Sequence, residues 1–243
     1  MQLNCDLGES FGNWRLGRDA DVMPHLDQAN IACGFHAGDP LTMERTLQLA
    51  ATYNVSVGAH PSYPDLVGFG RRSMAMSAAE LRAALLYQIA ALDGVASCVG
   101  ARLDYVKPHG ALYNDMMAKD DVRSTVIASV AAYPKPLKLM IQATASAGEH
   151  REEARAKGVE LILEAFADRC YDDDGRLLAR SKPGAVHDHA TMMSQVRRLV
   201  SDRQVTTASG AQLTLDVDTL CVHGDNDAGV QAIAQIRQIV DER

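Results

Sequence analysis

No stretch of this chain approaches the roughly 18 consecutive apolar residues of a membrane-spanning helix. The opening segment, MQLNCDLGES, lacks the charged and apolar regions of a secretory leader, which predicts a soluble, cytoplasmic protein. Basic residues are scarce: 24 against 31 acidic ones, for a net charge of −7. They form no run able to track a phosphate backbone, so neither nucleic acid nor a membrane surface is an expected partner. CxxC pairs are missing, and the cysteines at 5, 33, 98, 170 and 221 are odd in number, which argues against a disulfide framework and against a structural zinc site. Buried free thiols are expected, with Cys5, Cys33 and Cys221 close enough to the motifs below to serve as nucleophiles instead. GxGxxG and GxxxxGK[ST] are both absent, so the chain has no recognisable nucleotide-binding loop of its own. Internal repeats and low-complexity tracts are missing as well.

What is present is a strict alternation. Short apolar or β-branched runs near residues 2–6, 28–33, 54–59, 104–107, 137–142, 159–164 and 218–222 read as strands. Amphipathic stretches over 42–52, 77–95, 121–132, 145–157 and 227–240 read as helices between them. Ser77 and Glu80 form a capping box, and Asp39 before Pro40 starts another helix. Strands alternating with helices imply parallel βα units, and 243 residues with 47% hydrophobic content suit one barrel. The expected fold is therefore a seven-stranded parallel (β/α) barrel forming a single domain over residues 1–243, with a doubly wound open sheet as the alternative. Two segments interrupt the rhythm. Residues 168–190 carry an Asp-Gly turn and are expected to fold over the barrel mouth, while 205–215 reads as a hairpin across Ser209-Gly210.

Four histidines each close a strand followed by a Gly-rich turn: His36 in CGFHAGDP, His60 in GAHPSYPD, His109 in VKPHGALYN and His223 in CVHGDND. Parallel α/β folds carry their chemistry on the loops that leave the C-terminal strand ends, so these four side chains should converge on one site. Asp6 and Glu9, three residues apart across Gly8, are a carboxylate pair of the kind that makes a general acid or base. Asn30 precedes His36 on the same strand. Lys107 ends an apolar strand, an expensive position unless it meets an anion or a carboxylate. The long loop after His60 ends in Arg71-Arg72, of which Arg72 is the stronger candidate grip for a carboxylate or phosphate. Glu164, Asp168 and Arg169 follow the sixth strand, and Asp225 lies close enough to His223 to orient its imidazole. The 172–175 run, DDDG, lacks the spacing of a calcium loop and reads as a turn. His, Asp and Glu from separate strand ends are suitable divalent-metal ligands, yet no HExxH or HxxxH pair anchors such a site, and direct acid/base chemistry is equally open.

The segments LNCDLGESFG, ANIACGFHAGDP, GAHPSYPDLVGFGRR, VKPHGALYN, EAFADRCYDDDGRLLARSKPGAV and VHGD, in that order, resemble the LamB/YcsF family over nearly the whole chain. Gln2, Gln28, Ser62 and Asp227 depart from its pattern, and none of them replaces a candidate residue. The resemblance implies a seven-stranded (β/α) barrel related to the glycoside hydrolase and carbohydrate deacetylase barrels. It further implies ATP-dependent opening of 5-oxoproline (pyroglutamate) to L-glutamate, carried out with separate B and C subunits. ATP is then expected to act as co-substrate through those partners. On this reading Asp6 or Glu9 activates water, one of the four His protonates the leaving nitrogen, Lys107 stabilises developing charge, and Arg169 or Arg72 holds the substrate carboxylate. Two competing readings remain open: a stand-alone, metal-dependent amidohydrolase or carbohydrate deacetylase that works without ATP, and a non-catalytic scaffold protein within a larger assembly.

Overall fold

The computed structural model describes residues 1–223 and 227–242. Six strands come first: β1 (Gln2–Leu7), β2 (Gln28–Ala32), β3 (Ser56–His60), β4 (Leu103–Val106), β5 (Lys138–Gln142) and β6 (Leu161–Phe166). A small antiparallel hairpin, β7 (Gln204–Thr206) and β8 (Gln212–Thr214), intervenes before β9 (Thr219–Cys221). The barrel closes in the order β1-β2-β3-β4-β5-β6-β9, and every neighbouring pair is parallel. Pairing of β9 with both β6 and β1 excludes the open sheet. All seven strands therefore end at one face.

The expected strands all form, displaced by no more than a turn's worth of residues at their ends. Around them lie α1 (Asp19–Val22), α2 (Pro40–Tyr53), α3 (Ala78–Cys98), α4 (Gly110–Ala118), α5 (Asp120–Ala131), α6 (Ala147–Arg155), α7 (His189–Asp202) and α8 (Asp227–Asp241). Asp39 accepts hydrogen bonds from the amides of Leu41 and Thr42 at the start of α2, and Ser77 with Glu80 completes the capping box of α3. Three helices were not anticipated, the four-residue α1 among them. The backbone breaks at Lys119, so the apolar residues after His109 form the separate helix α4 rather than a lead-in to α5. In α7 the buried positions Gln195, Val196, Leu199 and Val200 do repeat at helical spacing, but the polar His-rich start hid the pattern. Among the described residues no helix is long and apolar enough to cross a membrane.

Alternate residues on each strand go to different places. Leu3, Cys5, Leu7, Ala29 and Ile31 join the large core shared with the helices. Tyr105, Met140 and Ile162 form a small separate cluster inside the barrel. Above it the interior turns polar: Tyr105 Oη donates to Asn30 Oδ1 (2.7 Å), and Asn30 Nδ2 donates to Asn4 Oδ1 and Asp6 Oδ1 (2.8 Å each). Gly58 makes room for this layer, since a Cβ there would lie 2.1 Å from the Tyr105 ring. Buried polar groups persist only when so satisfied.

The cysteines form no disulfide, and Cys98, at the end of α3, is exposed rather than buried as expected. Burial pushes the Cys33 thiol up to about 12 and raises Cys221 well above its ordinary value, which disfavours the thiolate a nucleophile needs.

Candidate active site

Asp6, Glu9, His60, Lys107, His109, Asp168, Arg169 and His223 all line one cavity of about 870 Å³ at the C-terminal ends of the strands. Asn30, His36 and Glu164 are buried directly behind this lining. At the floor is a buried ammonium between two carboxylates: Lys107 Nζ lies 2.8 Å from Asp6 Oδ1 and 2.6 Å from Glu164 Oε1. The Glu164 approach is an ion pair in distance without good hydrogen-bond alignment, and the other Glu164 oxygen accepts from Tyr113 Oη at 2.8 Å. Burial opposes charge on Lys107, but Asp6, Cys221 and Glu164 outweigh it and hold its pKa well above the ordinary lysine value. Burial likewise pushes the Asp6 carboxyl up, and the neighbouring His60 imidazole and Lys107 ammonium outweigh it and hold it well below the usual carboxylate range.

Beside this network sit three imidazoles. His60 Nδ1 lies 2.7 Å from the carbonyl of Lys107, and His109 Nε2 lies 2.9 Å from the carbonyl of Phe69. A carbonyl only accepts, so those two nitrogens carry the protons. The remaining nitrogens, His60 Nε2 and His109 Nδ1, face each other at 2.9 Å. Asp6 Oδ2 is 3.3 Å from His60 Nε2, and Glu9 Oε1 is 3.5 Å from His109 Nδ1 and 3.1 Å from His36 Nε2. The His36 ring stacks on His109, with centroids 3.7 Å apart and planes 6° from parallel. Burial and the neighbouring imidazoles push both His36 and His109 well below the ordinary histidine pKa.

The loop 61–77 and the segment 167–188 form the walls of the mouth. Arg72 does not reach the cavity: its guanidinium grips Asp65, whose carboxyl is thereby held down to about 2. Arg71 lines the cavity instead, with its guanidinium 5.0 Å from the Phe69 ring centroid. Arg169 reaches the lining, but its guanidinium donates to the carbonyls of Leu178 and Ala185, so it ties the overlying segment down. That segment does fold over the mouth, bringing Arg176 and Arg180 into the lining, and Asp172 closes its turn by accepting from the amides of Asp174 and Arg176. His223 Nδ1 lies 3.1 Å from Asp168 Oδ2, an imidazole–carboxylate pair on the cavity wall. Asp225, expected to orient His223, lies outside the described residues.

Tyr113, Arg71, Arg176 and Arg180 were not singled out from the sequence. Tyr113 was within reach, since it stands four residues after His109 in the same motif. Choosing between Arg71 and Arg72 required the course of the loop. Gly70 sets that course with a φ of +64°, and a Cβ there would lie 2.8 Å from His109 Cδ2 and 2.9 Å from His36 Cβ. Gly70→Ala is expected to displace the imidazole stack and lower turnover by about a hundredfold, with a stability loss of only about 1–3 kcal/mol. Steady-state rates beside thermal melts check this, and an unchanged rate would show that the stack tolerates displacement.

A Pseudomonas putida protein named as a 5-oxoprolinase A-type subunit is 56% identical over 242 residues, covering 99% of this chain and 94% of that protein. A Pseudomonas fluorescens protein named in the same way is 52% identical, covering 100% and 98%. The crystal structure of a lactam utilization protein from Thermus thermophilus superposes with a TM-score of 0.90 at 37% identity, covering 100% of this chain and 96% of that one. The LamB/YcsF family model matches residues 1–243, and on these grounds the chain belongs to the LamB/YcsF family.

Proposed function

We propose that this chain is the A-type component of an ATP-dependent 5-oxoprolinase, a hydrolase that opens the lactam of 5-oxoproline to L-glutamate. Support comes from full-length relatives that carry that name, at 52–56% identity. The observation that carries the chemical reading is the buried Lys107 ammonium between Asp6 and Glu164 at the floor of a cavity. Such a cation is preorganised for negative charge that develops on a substrate oxygen.

A five-membered lactam is a stable amide, and phosphorylation of its oxygen by ATP turns a poor electrophile into a good one. In this proposal the B and C partner subunits perform that step, since this chain has no nucleotide loop. Water then adds to the activated carbon and loses a proton to the ionised Asp6 carboxylate. The ring C–N bond breaks as nitrogen takes a proton from His223, which Asp168 holds in place. A second water releases phosphate from the resulting acyl phosphate. Lys107 stabilises the charged oxygens throughout, and Arg71 holds the substrate carboxylate in place of the expected Arg72 or Arg169, which are engaged elsewhere. The chain acts as one barrel domain in the cytoplasm.

The test is glutamate release from 5-oxoproline by the purified chain with B and C subunits, with ATP present or omitted. Release that needs all three proteins and ATP is the expected result. No glutamate from the full mixture would sink the reading, and release by this chain alone without ATP would favour the stand-alone amidohydrolase.

A further inference from the structure

The geometry points to a divalent-cation site formed by His60 Nε2, His109 Nδ1 and Glu9 Oε1, with Asp6 at its edge. The protons of His60 and His109 are committed to the carbonyls of Lys107 and Phe69. Two neutral imidazoles so anchored present lone pairs to each other at 2.9 Å, an arrangement that needs a positive species between them. A proton on His60 Nε2 is one such species, but it can be aimed at His109 Nδ1 or at Asp6 Oδ2, 3.3 Å away, not at both. A cation meets both, together with the Glu9 carboxylate.

Distances favour this occupant. Ligands about 2.0–2.1 Å from a tetrahedral metal lie about 3.3 Å from one another. The separations here are 2.9 Å between the imidazole nitrogens, 3.5 Å from His109 Nδ1 to Glu9 Oε1 and 3.3 Å from His60 Nε2 to Asp6 Oδ2. One ligand atom each from Glu9, His36, His60 and His109 falls within 4.8 Å of all the others. The ring geometry divides that set. His60 and His109 are perpendicular, so their in-plane lone pairs converge on a point. His36 is parallel to His109 at 3.7 Å, and a cation near the plane of one ring is far from the plane of the other. His36 is therefore a positioning residue that acts on Glu9 through its Nε2. The second grouping, Asp6, Cys221 and His223, is a poorer cradle, because the Lys107 ammonium lies 3.5 Å from Cys221 Sγ. Two imidazoles and a carboxylate suit Zn²⁺ and its borderline neighbours rather than Mg²⁺ or Ca²⁺.

The experiment needs no assay of the reaction, so its failure is separable from failure of the functional proposal. The full chain, stripped with chelator and dialysed, is titrated with Zn²⁺ alone, with bound metal measured by calorimetry and elemental analysis. One equivalent per chain is expected. His60→Ala and His109→Ala should each weaken binding by more than about a hundredfold, whereas His36→Ala should keep the stoichiometry and lose about ten- to a hundredfold in affinity. Nitrogen-15 histidine spectra of the unaltered chain give a readout independent of variant folding: Zn²⁺ should shift His60 Nε2 and His109 Nδ1 while the opposite nitrogens stay protonated. Absence of saturable binding, stoichiometric binding that survives both ligand substitutions, or a proton shared between the two rings that Zn²⁺ does not displace would each overturn the site.

Discussion

Lys107→Met should destabilise the fold by about 3–5 kcal/mol, the usual cost of stripping one partner from a buried ion pair. For a chain of this length that is a fall in melting temperature of roughly 6–20 °C. The reason is local: with the ammonium gone, the Asp6 and Glu164 carboxylates share the barrel floor with no cation between them. Pairing the change with Glu164→Gln removes one of those charges, and the amide can still accept from Tyr113, so the double variant should melt above the single one. Because Asp6 is held below the ordinary range, its contribution is present above a pH of about 4 and is lost as pH falls through its lowered value. Melts at pH 7 therefore report the full effect. Turnover in the reconstituted mixture should drop by at least about a hundredfold. A single variant within about 1 kcal/mol of the parent would mean that the three charges are better solvated than their burial implies.

Asp6→Asn should leave the fold nearly intact and lower glutamate release by at least about a hundredfold. An asparagine keeps the shape and can still accept from Lys107 Nζ and Asn30 Nδ2 through its Oδ1. It cannot take a proton from water, and it presents an NH₂ group where Oδ2 faced His60. The loss should fall mainly on kcat, since Asp6 lies on the barrel floor rather than at the arginine-lined mouth. Near-normal kcat would remove Asp6 from the proton-transfer scheme and leave Glu9 as the remaining carboxylate.

Much of the architecture was legible because its signals are local. The strand runs, the Ser77–Glu80 box and the Asp39-Pro40 start depend on neighbours within a few residues, and each is where periodicity and capping place it. The helix α4 was missed because its start coincides with the VKPHGALYN motif and its break at Lys119 has no Gly or Pro to mark it. Strand-end position places Asp6, Glu9, His60, Lys107, His109, Asp168, Arg169 and His223 along a common cavity. It favoured Arg72 over Arg71 and the structure reverses that, since the choice turns on Gly70 at positive φ and on the Asp65 carboxylate awaiting the second arginine.

By itself the sequence determined the alternation of strands and helices, and hence that the polar strand-end residues share one face, because both follow from short-range pattern and the constant direction of parallel strands. Tertiary structure alone decided which of those groups touch. Lys107 meets Asp6 across 101 positions of chain, and His109 meets His60 across 49. Such partners are chosen by the register and closure of the barrel, and long-range register leaves no mark on the residues either side of a histidine or a lysine.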